Sequence, residues 1–105
     1  MADVISPQDL QKRLEDKQKI SLLDVRRKSD YQASPQKIAD ANWYDPEKID
    51  EWINTISKDE EVVVYCVKGG SVSQSVANQL KQKQCKVKFL EGGIKAWNEI
   101  IGLAK

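Results

Sequence analysis

The chain has 105 residues, 40% hydrophobic and 31% charged, and its 17 basic and 16 acidic side chains leave a formal net charge of +1. That length predicts a single domain, residues 1–105, able to bury a core on about two-thirds of its unfolded surface. The near-cancellation of charge excludes a broad field that would recruit nucleic acid or an anionic membrane, so any anion chemistry has to be local.

Ser6-Pro7 reads as an N-cap with proline at the first helical position, opening a helix that presents Leu10 and Leu14 on one face. Ile20 to Val25 is a short apolar run, with Asp24 and Arg26 at its end, and predicts a buried strand. A polar stretch from Arg27 to Ala41 follows. Within it Lys28 to Gln32 suits a short helix, and Ala41 to Tyr44 then suits a brief strand. Asp45-Pro46 repeats the cap-then-proline signal, and Ile49, Trp52, Ile53 and Ile56 behind it recur at i, i+3, i+4 and i+7, one face of a helix. Val62 to Tyr65 is the strongest strand candidate, β-branched and flanked by charge, as a parallel strand covered on both faces reads. Beyond Cys66 the chain passes through Gly69 and Gly70 into a helix expected to turn Val72, Val76, Ala77 and Leu80 inward. Lys86 to Leu90 predicts a last strand, and Gly92-Gly93 turns into a final helix carrying Ile94, Trp97, Ile100 and Ile101. The order αβαβαβαβα, with short connections and no repeat, predicts an α/β fold: a mainly parallel sheet with helices on both faces. Ligands of such sheets bind beyond the carboxyl ends of the strands. Cys66 sits at one of those ends.

No apolar run approaches a membrane span, and Met1-Ala2-Asp3-Val4 lacks the basic-then-apolar pattern of a secretory signal. Two Cys are too few for a disulfide framework, so the expected compartment is cytoplasmic. Histidine is absent. That excludes Cys-His and Ser-His-Asp mechanisms and leaves too few ligands for a zinc site, so no metal is expected. A nucleophile here needs another means of activation. The segment from Val62 to Ser73 offers one: a thiol leaves a buried strand, a glycine-containing loop follows, and a helix begins. Loop N–H groups and the positive end of the helix dipole aimed at the sulfur would favour thiolate over thiol. Gly69 and Gly70 allow crowded or left-handed backbone, Lys68 adds a mobile positive charge, and Ser71 or Ser73 is expected to cap the helix. A cysteine after a valine-rich strand is also often a small buried hydrophobe, and that alternative stands beside the first.

Three segments carry a likeness that spans nearly the whole chain: Leu22-Leu23-Asp24-Val25-Arg26 with Asp30-Tyr31, Val64-Tyr65-Cys66-Val67-Lys68-Gly69, and Leu90-Glu91-Gly92-Gly93-Ile94-Lys95-Ala96-Trp97. In order and spacing they resemble the rhodanese family. The resemblance implies a three-layer rhodanese-like fold and transfer of a sulfane sulfur, from thiosulfate or a similar donor, to cyanide or a thiol. Cys66 would carry the sulfur as a persulfide, with Val67, Lys68, Gly69, Gly70, Ser71 and Val72 as its cradle. No cofactor is implied, and the expected state is a monomer, with a sulfur-relay protein as one conceivable partner. Asp24 and Arg26 would be structural, tying loops beneath the site.

The sequence also departs from the family. The common Gly-His-Ile-Pro-Gly-Ala segment is replaced by Pro35 to Ala41, which keeps Ile38 and Ala41, so a changed loop on an intact fold is expected. The frequent arginine five residues after the cysteine is Ser71 here, which removes a bidentate anion donor. Val76, Ala77 and Leu80 fall one position late, from which we infer a loop one residue longer than usual. A wider cradle would suit a larger oxyanion, as in related phosphatases and arsenate reductases. The phosphatase signature, however, needs arginine six residues after the cysteine, where Val72 stands. A non-catalytic regulatory or relay module is the other alternative. Cys85 reads as an incidental thiol, the three Trp as packing residues, and Lys81, Lys83, Lys86 and Lys88 as a solvated basic edge.

Overall fold

Strand β4 (Glu61–Tyr65) is apolar from Val62 onward because neither of its faces meets water: Val62, Val63, Val64 and Tyr65 are all fully buried. Alternate side chains of a strand point to opposite faces. Val62 and Val64 accordingly enter one core and Val63 and Tyr65 the other. In the computed structural model, which describes residues 3–16, 19–38 and 41–102, β4 is the middle of a five-stranded parallel sheet of order β1-β5-β4-β2-β3. The other strands are β1 (Asp3–Ile5), β2 (Ile20–Asp24), β3 (Asn42–Trp43) and β5 (Lys86–Leu90). Met1, Ala2, Ala39 and Asp40, which entered the sequence reading, lie outside the described residues.

Helices cover both faces. Leu10 of α1 (Pro7–Glu15) and Ile94 and Trp97 of α5 (Gly93–Ile100) pack with Leu22, Val63, Tyr65 and Leu90 on one side. On the other, Ile49 and Trp52 of α3 (Ile49–Trp52) and Val76, Ala77 and Leu80 of α4 (Ser71–Gln82) pack with Leu23, Val62, Val64 and Val87. The short α2 (Lys28–Ala33) follows β2. Ser6 caps α1, its hydroxyl accepting from Asp9 N–H at 3.1 Å, and Asp45 caps the next helical segment by accepting from Glu47 N–H at 2.9 Å. Among the described residues no helix is long and apolar enough to cross a membrane.

The structure corrects the sequence reading at three points. A first strand, β1, precedes α1 and pairs Ile5 with Leu90 of β5; its three residues carry too little pattern to announce it. The helix over Ile49 to Ile56 is broken into α3 flanked by 3-10 turns, Pro46–Lys48 and Ile53–Thr55, although all four apolar positions are buried. Ile100 is 51% exposed, because at 100° per residue it lies well off the face shared by Ile94, Trp97 and Ile101. Ile38 and Ala41, the two positions kept in the replaced segment, are both core residues.

Beyond β2 a buried ion pair organises the chain. Asp24 is fully buried and Arg26 is 2% exposed. The Arg26 guanidinium donates to the Asp24 carboxylate through Nε at 3.0 Å and Nη2 at 2.6 Å. It also donates to the carbonyls of Ser34 at 2.8 Å and Gln36 at 2.9 Å, so one side chain closes the irregular segment after α2. Burial opposes the charge on Arg26, and Asp24 more than offsets it, leaving the arginine's pKa raised. The phenol of Tyr65 accepts from Ile38 N–H at 3.1 Å and anchors the same segment; burial pushes its pKa upward, so it stays neutral. Removing one partner of a buried pair leaves an uncompensated charge, which costs about 3–5 kcal/mol. Asp24→Ala is therefore expected to lose about that much stability in urea unfolding followed by Trp fluorescence.

Candidate functional site

Cys66 follows β4 directly, and four loop residues, Val67 to Gly70, separate it from the first residue of α4, Ser71. The loop lies on the turn between β5 and α5. Gly69 has φ +70°, and a Cβ there would stand 2.7 Å from the backbone nitrogen of Gly92. Gly93 has φ +63°, and a Cβ there would stand 2.4 Å from the Cys66 carbonyl oxygen and 2.5 Å from that of Val67. Only glycine tolerates both the left-handed backbone and the approach. With both side chains absent, Ile94 N–H donates to Cys66 O at 2.9 Å and Lys95 N–H to Val67 O at 3.0 Å. Gln74 reaches back from α4 and donates to Gly69 O at 3.1 Å. Gly70 differs: its φ is −86°, and the space a Cβ would take is empty. The steric need expected of both loop glycines therefore holds at Gly69.

Cys66 is 6% exposed, and its thiol donates to the hydroxyl of Ser73 at 3.2 Å. Ser73 is fully buried, and its hydroxyl in turn donates to Gly70 O at 3.3 Å. Among the described residues no loop N–H donates to the Cys66 sulfur, contrary to expectation. The expected serine cap is also not formed: the N-cap of α4 is Gly70, with no side-chain hydrogen bond. Ser73, expected as a possible cap of α4, instead places its hydroxyl against the Cys66 thiol. Ser73, Val76, Ala77 and Leu80 fall at i, i+3, i+4 and i+7, so the fourth inward position is a serine rather than Val72.

A cavity of about 320 Å³ opens at the thiol. Cys66, Val67, Lys68, Gly70, Ser71 and Val72 line it, whereas Gly69 is turned to the neighbouring turn. The seven positions from Cys66 to Val72 thus comprise the thiol residue, four loop residues and the start of α4. Its opposite wall comes from the chain after β2: Arg26, Arg27 and Asp30. The sequence reading missed Arg27 and Asp30 as site residues. They follow the carboxyl end of the strand next to β4, and that adjacency was the available signal. A second cavity, of about 370 Å³, shares Arg27, Ser71 and Val72 and continues past Glu47, Ser75 and Gln79. Arg26 spends its donors on Asp24, Ser34 and Gln36, while Arg27 and Lys68 have no ion-pair partner among the described residues.

Cys85 lies outside the site. It precedes β5, whose Lys86 is level with Glu61 at the start of β4, whereas Cys66 follows the end of β4. Six residues of extended chain put the two cysteines about 20 Å apart. That is far beyond the roughly 7 Å between Cα atoms that a disulfide allows. Burial pushes the Cys85 thiol's pKa up, with Lys58 pulling the other way.

Comparison with known proteins agrees with this architecture. A family model described as a rhodanese-like domain matches residues 6–100. A protein named sulfurtransferase from Allochromatium vinosum is 32% identical over 97 residues, covering 92% of this chain and 89% of the relative. A tRNA 2-selenouridine synthase from Shewanella halifaxensis is 33% identical over 55 residues, 52% of this chain but only 15% of that longer protein. Among solved structures, a Saccharomyces cerevisiae homolog of single-domain rhodanese and the Cdc25 phosphatase catalytic domain superposes with a TM-score of 0.82 at 18% identity, over 96% of this chain and 82% of that one. With five parallel strands, a cysteine at the carboxyl end of the central one and a family match over nearly its whole length, the chain belongs to the rhodanese-like domain family.

Proposed function

We propose that the protein is a sulfurtransferase that accepts a sulfane sulfur on Cys66 and passes it on. One observation carries the reading: a thiol at the end of β4 opens into a cavity whose rim holds two cations without ion-pair partners among the described residues, Arg27 and Lys68, in a chain with no histidine. Such a site suits an anionic donor whose leaving group departs with its own electron pair and needs no general acid. With thiosulfate, the Cys66 sulfur, having lost its proton to solvent, attacks the outer sulfur. The S–S bond of the donor breaks, sulfite leaves with the bonding pair, and Cys66 carries an anionic persulfide. Cyanide or a thiol then takes the outer sulfur and restores the cysteine.

The loop from Val67 to Val72 would cradle the outer sulfur. The first N–H groups of a helix have no partner inside it, and Gly70, Ser71 and Val72 border the cavity where that sulfur would project. Ser73 has a role of its own. Its hydroxyl accepts from the neutral thiol and, by rotating away from Gly70 O, would donate to the sulfur once the proton has gone. Lys68 at the rim would bind the anionic end of the donor. The sulfurtransferase named above, alike over 92% of this chain, supports the same reaction class. A phosphatase would need an arginine where Val72 stands. A purely binding module would have no use for the buried Cys66–Ser73 pair.

Intact-protein mass spectrometry tests the reading. Incubation with thiosulfate or another sulfane donor should add one sulfur atom to the wild type, and cyanide should remove it. Cys66→Ser should gain none; turnover retained in that variant overturns the assignment, since Cys85 would then be the carrier. Ser73→Ala should slow single-turnover sulfur uptake by roughly 10- to 100-fold, the range set by one hydrogen bond to a charged group. A urea midpoint measured alongside separates this effect from loss of folding.

A further inference from the structure

We infer that Arg27, on the segment between β2 and α2, is the donor-binding arginine of this site, replacing from another element the guanidinium that the Cys66 loop lacks at Ser71. The inference deepens the sulfurtransferase reading and names the ligand group: the sulfonate end of thiosulfate. Two arginines border the cavity at Cys66, and one of them is already committed. Arg26 is 2% exposed and places its guanidinium on Asp24 and on the carbonyls of Ser34 and Gln36. Arg27 is exposed and has no hydrogen bond or ion pair from its side chain among the described residues. It borders both cavities, facing Ser71 and Val72 in each, so it stands where the two meet.

A guanidinium is planar and always charged, and its paired N–H groups match two oxygens of a tetrahedral oxyanion, which an ammonium such as Lys68 cannot do. In the proposed transfer, sulfonate charge grows as the S–S bond of thiosulfate breaks and sulfite leaves. Arg27 therefore gains in interaction during the step as well as on binding. The negative charge in the cavity wall, Asp30, is outnumbered by Arg27 and Lys68, and Arg26 is neutralised by Asp24. That balance favours an anion in the cavity at Cys66, whereas the second cavity sets Glu47 against Arg27.

Binding separates this inference from the function on which it rests. In a Cys66→Ser background, which cannot accept sulfur, thiosulfate binding is measured by calorimetry with and without Arg27→Ala. The variant should weaken the dissociation constant by roughly 10- to 100-fold, and Arg27→Lys should restore only part of the loss. In the active protein, Arg27→Ala should raise the KM for thiosulfate by a similar factor. Reaction with a neutral dialkyl trisulfide, in which Cys66 attacks the central sulfur, an alkanethiolate leaves and a mixed trisulfide forms on Cys66, involves no anionic donor, and its rate should stay within about twofold. Thiosulfate affinity that is unchanged by Arg27→Ala, or equal losses with the charged and the neutral donor, overturns the assignment. If the wild type takes up no sulfur from any donor while Arg27 still governs thiosulfate binding, the anion site stands and the transfer reading falls.

Discussion

The position of Cys66 depends on the contact between two stretches of backbone that touch without side chains between them. The Gly92-Gly93 turn presses against the carbonyls of Cys66 and Val67, and Gly69 presses back against the turn. Two N–H groups at the start of α5 are satisfied by those carbonyls, so a helix terminus that would otherwise need caps or water serves as the floor of the loop. A methyl group at Gly69 or Gly93 would separate the two surfaces by more than a hydrogen bond can bridge. The thiol thus stands on elements locked together through main chain, and such a scaffold is stiffer than a loop held by its own side chains.

The charges divide between structure and cavity in the same region. Arg26 and Asp24 are buried together, and the guanidinium's remaining donors close the segment after α2, so that pair shapes the wall without offering charge to a ligand. Its neighbour Arg27 is exposed and borders the cavity, as Lys68 does from the loop. Two adjacent arginines therefore have opposite fates, decided by which one the buried carboxylate can reach.

Most of the fold was legible because its elements have strong periods. The unbroken apolar run of β4, the i, i+3, i+4 face of α4 and the cap signals at Ser6-Pro7 and Asp45-Pro46 lead from local chemistry to a parallel sheet with helices on both faces. Strand β1 was not legible, since three residues gain their strand character from the open edge of β5 rather than from their own pattern. Breaking of the helix around α3 into 3-10 turns was hidden for a related reason: the apolar spacing is satisfied by either geometry.

At the site, residue types and chain order alone determined that a thiol leaves a buried strand and enters a glycine loop, without histidine and with serine where an arginine is common. Which residues stand opposite that thiol was decided by the tertiary structure. Arg27 and Asp30 reach the cavity because β2 pairs with β4, and strand order is set by the packing of all the elements together. The Cys66–Ser73 hydrogen bond and the close approach of Gly69 to Gly92 likewise depend on distances between segments far apart along the chain or on helix phase. Local sequence encodes which conformation each segment prefers; only the folded chain brings separate segments within the few ångströms at which charge and hydrogen bonding act.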